Sequence, residues 1–222
     1  MSVTPSKRQE SGDEGSALAD LVARIRELAE AAVRTRTGAA EAAAVADEIE
    51  ALTARLSRRE HDAPSAAGQG AADRHAVNPV IGVLNPFAPP VGLTASPDGV
   101  VRGEFTLGPL YEGPPAHVHG GMSAMVLDQA LGTAAAAAGT PGMTATLEVR
   151  YRRPTPLGVP LSVEAKASRA EGRKVYATGT ICDPDGRVTV EATGVFIRPE
   201  VWPPRQARPS RKDGDAEASR YS

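Results

Sequence analysis

Between Gly113 and Gly132 the chain reads GPPAHVHGGMSAMVLDQALG, which puts two histidines, a glycine pair and one acid where turn-forming residues give way to helix formers. His117 and His119 make a His-x-His pair, which on a strand would present both imidazoles on one face to a metal. The run that follows is helix-forming rather than extended, and its one acid is Asp128, so the surroundings do not complete such a set. With a single cysteine, Cys182, and no Cys/His cluster elsewhere, neither a metal nor a cofactor is expected.

A helix opening near Gly120 suggests a different chemistry. Its first N–H groups lack intrahelical partners and carry the positive end of the helix dipole. His119, Gly120 and Gly121 then read as an anion site, because glycines let another molecule approach the backbone as closely as a developing oxyanion requires. A plain tight turn is the alternative reading of the glycines taken alone. Asp128 lies on a stripe of small and apolar residues, Gly121, Ala124, Met125, Leu131, Gly132 and Ala135. A carboxylate there is costly unless it has a hydrogen-bonding partner or a chemical task. An aspartate that caps neighbouring backbone is the structural alternative.

The rest of the chain narrows the function by exclusion. A net charge of −2 argues against a dedicated binder of nucleic acid or anionic membrane. The first residues, MSVTPSKRQESGDEG, lack the apolar region of a secretory signal, and no run approaches the roughly 20 apolar residues that span a bilayer. A soluble, cytoplasmic protein is expected, without an intrachain disulfide. Walker loop, dinucleotide fingerprint and Gly-x-Ser-x-Gly elbow are all missing, which disfavours nucleotide chemistry and serine hydrolysis.

These residues need elements to position them. Residues 1–15 are polar and read as disordered. Over 16–60, Leu18, Leu21, Val22, Ile25 and Leu28, then Val45, Ile49, Leu52 and Leu56, recur at helical spacing on either side of a short turn. That predicts an amphipathic helical hairpin serving packing or assembly. Residues 61–77 form a linker of small residues, and the tail 200–222 reads as disordered after an anchoring Trp202. Between them, 78–199 form the main domain. It has two strands around SPDG, one long Ala-rich helix from Gly120 to about Ala138, and extended runs at Thr144–Arg153, Leu161–Ala170, Lys174–Cys182 and Arg187–Arg198. Strands grouped around one helix imply an α+β fold, an antiparallel sheet with the helix covering one face.

Four segments carry a family resemblance: YEGPPAHVHGGMSAMVLDQALG, GMTATLEVRYRRPTPLG, EGRKVYATGTICDPDG and VEATGVFIRP. Together they resemble the hotdog-fold acyl-CoA thioesterases of the 4-hydroxybenzoyl-CoA thioesterase superfamily, in the phenylacetyl-CoA-thioesterase-like branch. The resemblance covers roughly Asn78 to Pro199, and its most specific element is His-Gly-Gly with an acid nine residues after the histidine. It implies a sheet wrapped around the long helix and hydrolysis of an acyl-CoA thioester to acid and CoA. Asp128 matches the catalytic acid, as general base or nucleophile, Gly120 the backbone donor to the carbonyl, and Thr144 the hydroxyl that helps place water. Gly121 would lie beside the substrate, and His119 would orient the loop or touch it. One departure is Gly113, where many relatives carry asparagine.

CoA phosphates call for cations, and Arg150, Arg152, Arg173 and Lys174 are the candidates, each equally readable as a solvated strand end. Two rival functions remain: a non-catalytic acyl-CoA-binding or assembly module, and a hydratase, which the position of His119 at the helix entrance disfavours. Gly120 and Asp128 are eight residues apart, roughly 12 Å along a helix, so one chain cannot bring both to one carbonyl. A homodimer or homotetramer with shared sites is expected.

Overall fold

The structure, a computed structural model, describes residues 7–59 and 75–200. The expected linker lies almost entirely outside the described residues, as do Trp202 and the rest of the tail. Two helices come first, α1 (Lys7–Arg34) and α2 (Ala39–Leu56). Helix α1 starts at Lys7, inside the span read as disordered. Polarity there rules out a core, but Lys, Arg, Gln and Glu lose little side-chain freedom in a helix and favour one.

Both helices of the expected hairpin form, and they differ in what they pack against. Helix α1 rests on the main domain at the turn Pro109–Tyr111, with Val22 buried. Its Arg26 reaches across to donate to the carbonyls of Gly82, at 3.0 Å, and Asn85, at 2.6 Å. Helix α2 packs on neither α1 nor the sheet and leaves Val45, Ile49, Leu52 and Leu56 exposed.

The main domain is one antiparallel sheet around one helix. Its elements are β1 (Thr94–Ala95), β2 (Val100–Thr106), α3 (Gly120–Ala137), β3 (Met143–Tyr151), β4 (Pro160–Glu171), β5 (Lys174–Cys182) and β6 (Val188–Ile197). Spatial order is β1-β2-β4-β5-β6-β3, so β3 forms one edge and pairs only with β6. Period-two burial sends Val101 and Phe105, then Leu161, Val163 and Ala165, then Val175, Ala177 and Ile181, toward α3. The helix answers with Val126, Leu127, Ala130, Leu131, Ala134 and Ala135, all fully buried. Gly179 and Gly194 leave room for Leu131, since a Cβ at either position would come within about 3.1 Å of its methyl groups. Helix α3 ends on Gly139 at φ 84°, with Thr140 N–H bonded to Ala135 O and Gly139 N–H to Ala136 O, which closes off its last carbonyls.

Candidate active site

The site begins where the chain enters α3. His119 is extended (φ −60°, ψ 131°), and its Nδ1 accepts the Gly121 N–H at 3.0 Å, so the imidazole caps the helix. That acceptor role puts the ring proton on Nε2. The His119 N–H bonds to Tyr111 O at 2.9 Å, while the Gly120 N–H meets no acceptor among the described residues. Burial pushes the pKa of the Tyr111 hydroxyl up. Gly113 packs directly against the cap, where a Cβ would come 2.7 Å from His119 Cα. The loop therefore closes backbone on backbone at Gly113.

Two turns along α3, half-buried Asp128 accepts the Thr144 hydroxyl at Oδ1, 2.8 Å away on β3. The other polar side chains of this stretch serve structure: Gln129 accepts from Asn78 Nδ2 at 2.9 Å and donates to Thr133. Strand β3 supplies Thr144 through an irregularity. Thr144 pairs with Phe196 and Thr146 with Val195, so Ala145 is an extra residue that reverses the alternation. Thr144 before the bulge and Leu147, Val149 and Tyr151 after it consequently share the helix-facing side.

Tyr151 was not among the sequence candidates. Its hydroxyl donates to Gly120 O at 2.9 Å, and its ring lies 3.2 Å from where a Cβ on residue 120 would stand. One strand thus bonds to α3 at both places, to Asp128 through Thr144 and to Gly120 through Tyr151.

A profile described as the Thioesterase superfamily matches residues 116–190, which span the His119 cap, Asp128 and β3 to β5. A crystal structure of a thioesterase superfamily protein is 39% identical, with a TM-score of 0.74, covering 81% of this chain and 90% of the other. The chain belongs to the thioesterase superfamily. Its sheet wrapped on one helix is the hotdog fold. Among curated relatives, acyl-coenzyme A thioesterase THEM4 of Xenopus laevis is 39% identical over 95 residues, and THEM4 of Mus musculus 38% over 88. Those matches take in 42% and 39% of this chain, and only 43% and 38% of the relatives' own lengths.

Within this thioesterase domain the four candidate cations divide. Arg150 and Arg152 project from the sheet face opposite α3, where Arg150 is bonded to Glu148 at 2.7 Å and Arg152 to Glu191. The hydrogen bond from Arg152 holds the Glu191 carboxyl below the usual carboxylate range. A polar concavity of about 480 Å³ on that outer face, lined by Glu148, Arg150, Glu164, Lys166 and Thr178, is likewise remote from Asp128. Arg173 and Lys174 stand at the β4–β5 hairpin, at the same sheet end as Thr144, because Val175 pairs with Phe196 and Phe196 with Thr144. Arg173 lies 3.2 Å from Glu200, and both it and Lys174 are exposed. Among the described residues no group of three His, Cys, Asp or Glu is placed to hold a metal, and no helix is long and apolar enough to cross a membrane.

Proposed function

We propose that this thioesterase-superfamily chain hydrolyses acyl-CoA thioesters, with Asp128 as the acid that drives attack and the Gly120 N–H as the donor to the carbonyl oxygen. The observation that carries the reading is the Thr144–Asp128 hydrogen bond, which orients a carboxylate on the central helix and engages one of its two oxygens. The other oxygen is then free to take a proton from water or to attack the carbonyl carbon itself. By the first route the C–O bond forms as Asp128 accepts the water proton. The C–S bond then breaks, and CoA leaves as thiolate or, with a proton returned, as thiol. The Gly120 N–H, which meets no acceptor among the described residues, and the dipole of α3 stabilise the negative charge that builds on oxygen meanwhile. Curated relatives named acyl-coenzyme A thioesterase support the substrate class.

The reading requires two chains. Gly120 and Asp128 are about 12 Å apart along α3, too far to serve one carbonyl. Strand β3 has an unpaired edge among the described residues, and two such edges joined antiparallel about a two-fold axis near Leu147 would set Tyr151 and Gly120 of one protomer beside Thr144 and Asp128 of its partner. Arg173 and Lys174 are the phosphate-binding cations in this reading, since they stand at the sheet end of Thr144 whereas Arg150 and Arg152 project from the face opposite α3.

The experiment is thiol release from a panel of aliphatic and aromatic acyl-CoAs by the full chain and by Asp128→Asn. Hydrolysis by the wild type with a loss of about 10² to 10⁴ in the variant is expected, the usual worth of general-base help. Binding of acyl-CoA without turnover by either protein would favour a non-catalytic binding module instead.

A further inference from the structure

We infer that Tyr151 is the positioning residue for the Gly120 donor, an inference that rests on the hydrolase reading above and adds a residue to it. Two independent features of the geometry point to it. The phenol donates to Gly120 O at 2.9 Å, and the ring lies so close over Gly120 Cα that a side chain at 120 would meet Cε1 and Cζ at 3.2 Å and the hydroxyl oxygen at 3.3 Å. The ring therefore packs closely on Gly120, so that a side chain there would push it aside by a few tenths of an ångström, and the hydroxyl tethers the backbone that glycine leaves loose.

The tether acts where the backbone is least restricted by its own side chains. His119 is extended, and helical geometry starts one residue later, at two successive glycines with more backbone freedom than any other pair. A helix end of that composition frays unless something outside the helix holds it. Tyr151 belongs to a strand that is hydrogen-bonded to β6 through Val190, so it ties the first turn of α3 to the sheet. An oxyanion donor works only when it lies within about 2.7–3.1 Å of where the charge develops, so a loosened turn weakens transition-state binding more than ground-state binding. Tyr151 is 56% exposed in the single chain although its hydroxyl is bonded, so it does not fill the core but stands on the side that the partner covers in the reading above.

The test is steady-state hydrolysis by full-length Tyr151→Phe, with the wild type and Asp128→Asn measured alongside and thermal melts of all three. Phenylalanine keeps the ring over Gly120 and deletes only the tether. The expected result is a fall in kcat of about five- to tenfold, one net hydrogen bond, with KM and Tm unchanged. An unchanged kcat would overturn the inference, as would a kcat loss that tracks a loss of Tm, which marks a merely structural tyrosine. Wild-type rates in Asp128→Asn would overturn the role given to Asp128, and no thiol release by the wild type would overturn the hydrolase reading and this inference with it. Wild-type rates in Tyr151→Phe alone would overturn only the inference.

Discussion

Thr144 reaches Asp128 across the gap between β3 and α3, its hydroxyl 2.8 Å from Oδ1, and it does so from a strand whose bulge at Ala145 turns it toward the helix. The bond joins a neutral donor to a carboxylate, a class worth about 1.5–3 kcal/mol. Thr144→Val keeps the β-branched shape that suits a strand but removes the donor. We expect kcat/KM for acyl-CoA hydrolysis to fall by roughly 10- to 100-fold, while Thr144→Ser stays within about threefold of wild type. Equal rates for the valine and serine variants would remove the hydroxyl from the mechanism.

His119 closes the N-terminus of α3 through Nδ1, a role a shorter side-chain acceptor can also fill. Loss of an N-cap costs about 1 kcal/mol, and asparagine is among the best capping residues. His119→Ala should therefore lose about 1 kcal/mol in urea unfolding, and His119→Asn should lose a few tenths at most. If asparagine and alanine destabilise alike, the imidazole does something other than cap.

Much of this arrangement is legible in the residue pattern. Helical spacing and the Gly-Thr-Pro-Gly stop place α3 to within a residue, and Lys174–Cys182 is read at its observed bounds. Alternation also sends Val101, Phe105 and Leu107 inward, where all three are buried. Tyr151 is hidden for a definite reason. It lies seven residues from Thr144, and in a regular strand an odd separation puts two side chains on opposite faces. Only the extra residue at 145 restores them to one face, and nothing in Thr-Ala-Thr announces a bulge. Arg150 and Arg152 are the converse case. A run of arginines does not show which sheet face each occupies, and Glu191, the partner of Arg152, comes from a different strand some forty residues on. The helical arm misleads in another way, since apolar periodicity shows that α1 and α2 each need a partner but does not say which.

Arg26 should tie α1 to the main domain. Its guanidinium donates to two carbonyls of the 82–85 turn, so the side chain is committed to this contact. Charge-assisted bonds of this kind make Arg26→Ala worth a loss of about 2–3 kcal/mol in denaturant unfolding. Arg24, one turn face away and paired with Glu27 in solvent, is the control: Arg24→Ala should change stability by less than about 0.5 kcal/mol. Similar small effects at both positions would mean that α1 is an appendage rather than part of the domain.

Shared active sites make the most demanding prediction, because it needs two defective chains to produce a working enzyme. Asp128→Asn removes the acid, and Gly120→Pro removes the donor N–H. Proline is accepted at the first position of a helix, although the Tyr151 ring, 3.2 Å from a Cβ at 120, must give by a few tenths of an ångström. Each variant alone should be nearly inactive as a homodimer. In a mixed dimer, the Asp128→Asn chain still offers an intact Gly120, and the Gly120→Pro chain still offers an intact Asp128. If a site takes its donor from one chain and its acid from the other, one of the two sites in that dimer is whole. Random exchange in an equal mixture makes half the dimers mixed, so activity should recover to about one quarter of wild type. Unfolding and refolding the two chains together, followed by thiol-release measurement across mixing ratios, should trace a curve that peaks at equal amounts. Sites contained within single chains predict a flat line at the background of the two variants, and a fully active monomer at assay concentration would refute sharing directly.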